Sequence, residues 1–225
     1  MGLVAAVPVK GLASVKQRLV GFLAGEERAA LVLAMLEDVL HALDQSPLDT
    51  VYLVTRDCAA MDVGQRHGAR LLVEEEDRGH TAAVASAQAR AVAEGADRFL
   101  TLPGDVPCVT PEDVAVLARA LPAGRGAAFV PSLSGSGTNG ALLAPPDVMS
   151  LRFGEPSFDQ HLQAARARGL SPLVLPLPGL ALDVDAPEDL ALLLERGPGT
   201  RSARLLCDLG VPSRLAGAVR PPSRG

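Results

Sequence analysis

Short apolar runs of strand length alternate along this chain with longer stretches whose apolar positions recur at helical spacing. Residues 3–9 form a continuous apolar run, and 51–55, 70–73, 99–102, 127–131 and 141–144 read as further strands. Between them, 26–43 carries Ala29, Leu33, Leu36, Leu40 and Leu43 on one helical face. Residues 81–94, 111–121, 158–168 and 187–196 also predict helices, with Thr110 as the N-cap before Pro111. Strands without polar alternation need cover on both faces, and strands separated by helices are joined by crossovers. The pattern therefore predicts an α/β fold, a mainly parallel sheet with helices on both faces.

The alternation loosens beyond Pro122, where Gly and Pro cluster at 131–140, 145–156 and 176–179. Long irregular loops in such a domain are where substrates are held. Residues 1–196 read as one domain. Residues 197–225 read as an Arg/Pro/Gly-rich C-terminal extension, with a short docking helix at 202–209 and disorder at 220–225.

Composition narrows the partners. Acids and bases are interspersed at a net charge of −5, and there is no Trp, one Tyr and five Phe. That leaves neither a basic stripe nor a stacking platform for nucleic acid. No apolar run is long enough to span a bilayer, and residues 2–9 read as a buried strand, not a leader peptide. Three scattered cysteines (Cys58, Cys108, Cys207) suit a reducing compartment, so the expected location is the cytoplasm and the expected partner a small molecule. Of 21 basic side chains only Lys10 and Lys16 are lysine, and both follow the first strand directly. Two compact ammonium groups six residues apart would suit a triphosphate.

Four segments could carry chemistry. The loop VKGLASVKQRL leaves the carboxyl end of strand one, where open α/β sheets bind ligands. Gly11, Ala13 and Ser14 permit close backbone approach, and Lys10, Lys16 and Arg18 supply cations. The spacing is not that of a P-loop. Asp105, in LPGDVP, is either a metal ligand at a strand end or part of a Pro-Gly-Asp turn. In LDVDAPEDL, extended backbone puts Asp183 and Asp185 on one face, roughly 7 Å apart, as a Mg²⁺-binding pair would be. Asp185 has a competing use as an N-cap, with Glu188 completing a capping box. The Gly-rich stretches SGTNG and FGEPSF are either anion-binding nests or plain turns, and Ser157 is placed to cap the helix that follows.

The runs VPVKGLASVKQRL, LPGDVP, GTNGALLAPP, FGEPSFDQH and LDVDAPEDL, in this order over residues 3–194, resemble the guanylyltransferases of coenzyme F-420 biosynthesis. Those enzymes act on 2-phospho-L-lactate or phosphoenolpyruvate and share a compact Rossmann-like nucleotidyltransferase fold. The resemblance implies Asp105, Asp183 and Asp185 as ligands of Mg²⁺ or Mn²⁺, and Thr138, Gly154 and Ser157 as contacts of the phosphorylated acid. Lys10, Lys16 and Arg18 would face GTP, with Gly79 and Thr81 near the nucleotide and Lys16 and Asp105 as the catalytic pair. In RGHTAA, Thr81 stands where the family commonly has Asn. The resemblance also implies the next enzyme of the pathway as a partner. A relative with another acceptor (3-phosphoglycerate, molybdopterin or a sugar phosphate) and a non-catalytic nucleotide-binding module are the alternatives.

The chemistry so implied needs no general base. The attacking phosphate monoester, with a second pKa of about 6, is already anionic at neutral pH. His41, His67, His80 and His161 are correspondingly expected to form no triad with Ser or Cys.

Overall fold

A computed structural model describes residues 2–12, 16–73, 76 and 78–218. Strand β1 (Leu3–Pro8) lies inside a seven-stranded sheet, paired in parallel with β2 (Thr50–Thr55) on one side and β4 (Arg98–Thr101) on the other. Strand β2 pairs in parallel with β3 (Arg70–Val73). Past β4 come β6 (Thr138–Ala144), β5 (Gly126–Pro131) and the two-residue β7 (Leu173–Val174), giving the order β3-β2-β1-β4-β6-β5-β7.

The sheet is mainly parallel, as the sequence pattern implies, but β6 runs antiparallel to both β4 and β5. The cause is local. The Ser132 N–H donates to the Gly137 carbonyl and the Gly137 N–H to Ser132 Oγ, both at 2.9 Å, while Gly135 takes φ 76°. A tight return without a helix can join only antiparallel strands.

Residue parity divides the core. Ala5, Val7, Leu53, Leu100, Ala128 and Val130 face one side, where α1 (Gly25–Asp44), α2 (Cys58–Arg66) and α4 (Pro111–Arg119) cover them. Val4, Ala6, Tyr52, Val54, Phe99 and Phe129 face the other, beneath α3 (His80–Ala93) and α5 (Ser157–Ala167). Both faces are dry, which is why these strands read as unbroken apolar runs. Helix α2 is an element the periodicity does not predict; Asp57 starts it by accepting from the Ala59 and Ala60 N–H groups. Thr110 caps α4 as expected, in a reciprocal box with Asp113.

Leu180 of α6 (Pro178–Ala181) packs on the Ala5 side, and a third cluster forms beneath α7 (Pro187–Arg196), α8 (Arg201–Asp208) and α9 (Val211–Ala218), where Leu31, Met35, Val184, Leu193, Leu206 and Val211 are buried. Helix α8 occupies the segment expected to dock, and the chain continues helical to residue 218. Buried Asp38 of α1 holds its start, accepting from the Arg201 N–H at 2.7 Å, the Ser202 N–H at 3.0 Å and the Ser202 hydroxyl at 2.6 Å. The segment 220–225, expected to be disordered, lies outside the described residues, as do Ala13 and Ser14. Among the described residues no helix is long and apolar enough to cross a membrane.

Candidate active site

Strand β1 has β2 on one side and β4 on the other, so the connections leaving β1 and β4 diverge and open a crevice at their carboxyl ends. Lys10 follows β1 and Asp105 follows β4. Gly104 makes the second placement possible: a Cβ there would stand 2.9 Å from Val9 Cγ2 and 3.6 Å from Leu36 Cδ1. Without a side chain the turn packs onto β1 and α1, and the next residue faces the cleft.

The two acidic segments are stitched together by backbone. The Val184 N–H donates to the Asp105 carbonyl at 3.1 Å, and the Val184 side chain is fully buried. Extended geometry then turns both Asp183 and Asp185 to the cleft beside Asp105. The expected N-cap at Asp185 is not formed. Ala186 is the cap position, and Asp189, not Glu188, accepts from the Asp185 and Ala186 N–H groups at 2.9 and 2.7 Å. The Asp185 carboxylate is thereby left to Lys16.

Lys16 joins the acids from the other strand. Its backbone is left-handed, φ 54° and ψ 49°, the sole non-glycine residue with positive φ among those described. Such geometry costs roughly 1–2 kcal/mol and persists where its surroundings enforce it. The buried Nζ donates to Asp105 Oδ2 at 2.6 Å and Asp185 Oδ1 at 2.7 Å. Burial opposes the ammonium charge, yet the carboxylates of Asp105 and Asp185 outweigh it and raise its pKa. Burial likewise pushes Asp105 upward, but adjacent Lys16 holds it below the ordinary carboxylate value. Asp183 is raised, first by burial and then by the charges of Asp105 and Asp185, against a hydrogen bond from Asn139. Asn139 spends its amide on the Leu180 and Ala181 carbonyls and Asp183 Oδ1, all at 3.0 Å.

Two adjoining cavities, of about 600 and 590 Å³, share this acidic wall. Lys16 and Gly104 line one; Thr138, Gly154, Ser157 and Asp183 line the other; Lys10, Arg18, Asp105 and Asp185 border both. Gly154, at φ 111°, holds a backbone conformation that favours glycine. Ser157 does not cap its helix: Pro156 is the cap position, and Ser157 Oγ donates to Thr138 Oγ1 at 3.3 Å. Gly79 and Thr81 line the cavity that Thr138 lines, together with Lys10 and Arg18 of the loop after β1. The Thr81 hydroxyl is engaged by the Phe153 backbone, accepting its N–H at 2.9 Å and donating to its carbonyl at 3.3 Å.

Sequence reasoning passed over Arg78, His80 and Phe153, which also line the cleft, and His161 and Asn139 behind it. His80 and Phe153 pack at 4.4 Å between ring centroids, and burial lowers the His80 pKa to about 4. His161 was detectable as one of the polar residues on the inner face of its predicted helix.

The carboxylates are hard oxygen donors, the type a Mg²⁺ ion takes. As they stand, Lys16 occupies the space between two of them, and among the described residues no three His, Cys, Asp or Glu side chains are arranged ready to hold a metal. The donor chemistry fits the ion, and Lys16 would have to yield part of the space to it.

Comparison with known proteins gives a consistent picture. The profile of the family described as "Guanylyl transferase CofC like" matches residues 3–219. A phosphoenolpyruvate guanylyltransferase of Rubrobacter xylanophilus is 41% identical over 88% of this chain and 96% of its own. A 2-phospho-L-lactate guanylyltransferase of Methanothermobacter thermautotrophicus is 35% identical over 98% of this chain and 94% of its own. Among solved structures, a candidate nucleotide-diphospho-sugar transferase of Desulfovibrio desulfuricans superposes with TM-score 0.75 over 96% of this chain and 98% of its own. At 18% identity, that likeness speaks for the fold alone.

Proposed function

This chain belongs to the CofC-like guanylyl transferases, and from that premise we propose that it transfers GMP from GTP to a small phosphorylated three-carbon acid, phosphoenolpyruvate or 2-phospho-L-lactate, with release of pyrophosphate. Coenzyme F-420 biosynthesis is the setting this reaction implies. One observation carries the reading: two cavities, one holding Lys16 and one holding Thr138, Ser157 and Gly154, meet at a shared wall of carboxylates, with Lys10 and Arg18 bordering both. A two-substrate phosphoryl-group transfer needs such a junction.

In this reading Lys10, Lys16 and Arg18 take the triphosphate, and the Thr138 hydroxyl and the backbone at Gly154 and Ser157 take the acid. A phosphate oxygen of the acid attacks the α-phosphorus of GTP, and the bond to the β-phosphate oxygen breaks. The protein aligns two polyanions and neutralises the charge that grows on the transferring and leaving groups. Lys16, seated between Asp105 and Asp185, is positioned to swing its ammonium onto that charge. Asp105, Asp183 and Asp185 would hold Mg²⁺ or Mn²⁺, whose contribution is further charge neutralisation and orientation of phosphate oxygens. His80, neutral at physiological pH, is not required as a base.

The test is a screen of GTP, ATP, CTP and UTP against phosphoenolpyruvate, 2-phospho-L-lactate and 3-phosphoglycerate with Mg²⁺, reading pyrophosphate release and the mass of the adduct. GTP with one of the first two acids should form product fastest by at least tenfold. Equal rates with ATP, or product from none of the acids, would overturn the assignment.

A further inference from the structure

His161 lies behind the cavity that holds Thr138, Gly154 and Ser157, one turn along α5 from Ser157 and only 1% exposed. Its ring stacks on Phe129 with centroids 5.3 Å apart and meets the edge of Phe153 at 5.2 Å. Both ring nitrogens are used. Nε2 lies 2.9 Å from the backbone nitrogen of Arg152, and Nδ1 lies 3.0 Å from Thr138 Oγ1.

These contacts determine the tautomer. A backbone N–H can only donate, so Nε2 is the acceptor and carries no proton; the proton of the neutral ring is on Nδ1, which donates to Thr138. Thr138 Oγ1 also accepts from Ser157 Oγ at 3.3 Å. A hydroxyl oxygen has two lone pairs and one proton. With both lone pairs engaged, what Thr138 has left to offer the cleft is its O–H, a donor, which is what an anionic oxygen requires.

We propose that His161 is a positioning residue of the acid-binding half of the cleft. Its ring fixes Thr138 as a hydrogen-bond donor toward the substrate's anionic group, and it ties the 152–157 loop carrying Gly154 to the same strand. The inference rests on the assignment of that cavity to the phosphorylated acid. Within it, His161 acts through Thr138 and through the Arg152 backbone, without touching substrate or moving a proton. Its imidazole serves because one ring accepts from a peptide N–H and donates to a hydroxyl at once. A ring lacking nitrogens fills the same space, but leaves the Arg152 N–H unpaired and frees Thr138 to rotate its proton away from the cleft.

Long-range ¹H–¹⁵N spectra of the wild type should show a buried histidine in the Nδ1-protonated form at neutral pH, and that signal should vanish in His161→Phe. Steady-state kinetics should show the acid KM of His161→Phe raised about ten- to hundredfold, the loss of a hydrogen bond to a charged group, with kcat and the GTP KM nearly unchanged. His161→Asn, which keeps a donor near the position of Nδ1, should recover part of that loss. Adding His161→Phe to Thr138→Val should cost little beyond Thr138→Val alone. An Nε2-protonated ring, an unchanged acid KM, equal rises in both KM values, or full additivity with Thr138→Val would each overturn the proposal. Absence of product from the wild type with every acid would instead sink the assignment of the cavity, and the tautomer measurement would still decide the geometry of the ring.

Discussion

Lys16 Nζ lies 2.6 Å from Asp105 Oδ2, so a residue from the loop after β1 and one from the turn after β4 form a single charged unit across the crevice. The same ammonium reaches Asp185 at 2.7 Å. A compact cation fits between two carboxylates at these distances, while a planar guanidinium of equal charge must enter edge-on and displace one of them. Lys16→Arg should therefore lower kcat/KM for GTP by about a hundredfold, the usual consequence of misplacing a reacting contact by 1 Å. Exposed Arg119→Lys, the reverse exchange far from the cleft, should leave kinetics unchanged. Wild-type rate and GTP affinity in Lys16→Arg would mean that the triphosphate is gripped elsewhere.

Asp183→Asn should separate activity from stability. The amide oxygen replacing Oδ1 can still accept from Asn139, so the link to the 180–181 carbonyls survives. Removing one of three neighbouring negative charges relieves repulsion in a partly buried wall. The variant should melt no lower than the wild type while turnover falls by at least about a hundredfold, with weakened Mn²⁺ binding by calorimetry. Retained turnover with unchanged metal dependence would remove Asp183 from the metal set.

The elements that could be read from sequence are those whose burial is two-sided or whose caps are local. Unbroken apolar runs gave β1, β2 and β4, and Thr110 with Pro111 marked the start of α4. The reversal of β6 was hidden because direction depends on a six-residue return that looks like any Gly/Ser loop. Helix α2 was missed because its amphipathic pattern is only nine residues long and no Pro after the Asp57 cap marks its start, as Pro111 does for α4. In the site, Asp183 and Asp185 sharing a face follows from strand period alone. The Lys16 bridge, the Asn139 clamp and the Thr138–His161 pair each join positions far apart in sequence, and only the folded topology brings them together.

Asp38 ties α8 to α1 through three hydrogen bonds to a largely buried carboxylate. Asp38→Ala leaves two backbone N–H groups and a hydroxyl without that acceptor, a loss on the order of 2 kcal/mol for a buried cap. The urea midpoint should fall accordingly, and amide exchange should accelerate first in Arg201–Asp208. Both KM values should hold in what remains folded, because α8 lies away from the two cavities. An unchanged midpoint would mean that residues beyond 197 dock without contributing to the domain.

His161 should also leave a mark on the pH dependence of stability. Burial lowers its pKa to about 4 in the folded protein, against about 6.5 in an unfolded chain. Between those values the unfolded chain binds a proton that the native ring, bonded at Nε2 by a backbone N–H, does not. Native stability therefore falls as pH drops from 6.5 toward 4, by roughly 3 kcal/mol from this residue alone. His80, held near 4 in the same way, adds to the slope in the same window. Glu27 and Glu94 do not confuse it: Arg214 and Arg70 lead in holding them down to about 2, so their contribution is intact above about pH 4.5 and lost only below it. Urea denaturation of the wild type and His161→Phe at steps from pH 7 to 4.5 isolates the one residue. The variant should lose stability more slowly with acid, by up to about 1.4 kcal/mol per pH unit, and the two curves should converge as pH falls. Parallel curves across that range would show that His161 accepts a proton in the folded state, which would break its bond to Arg152 and with it the fixed orientation of Thr138.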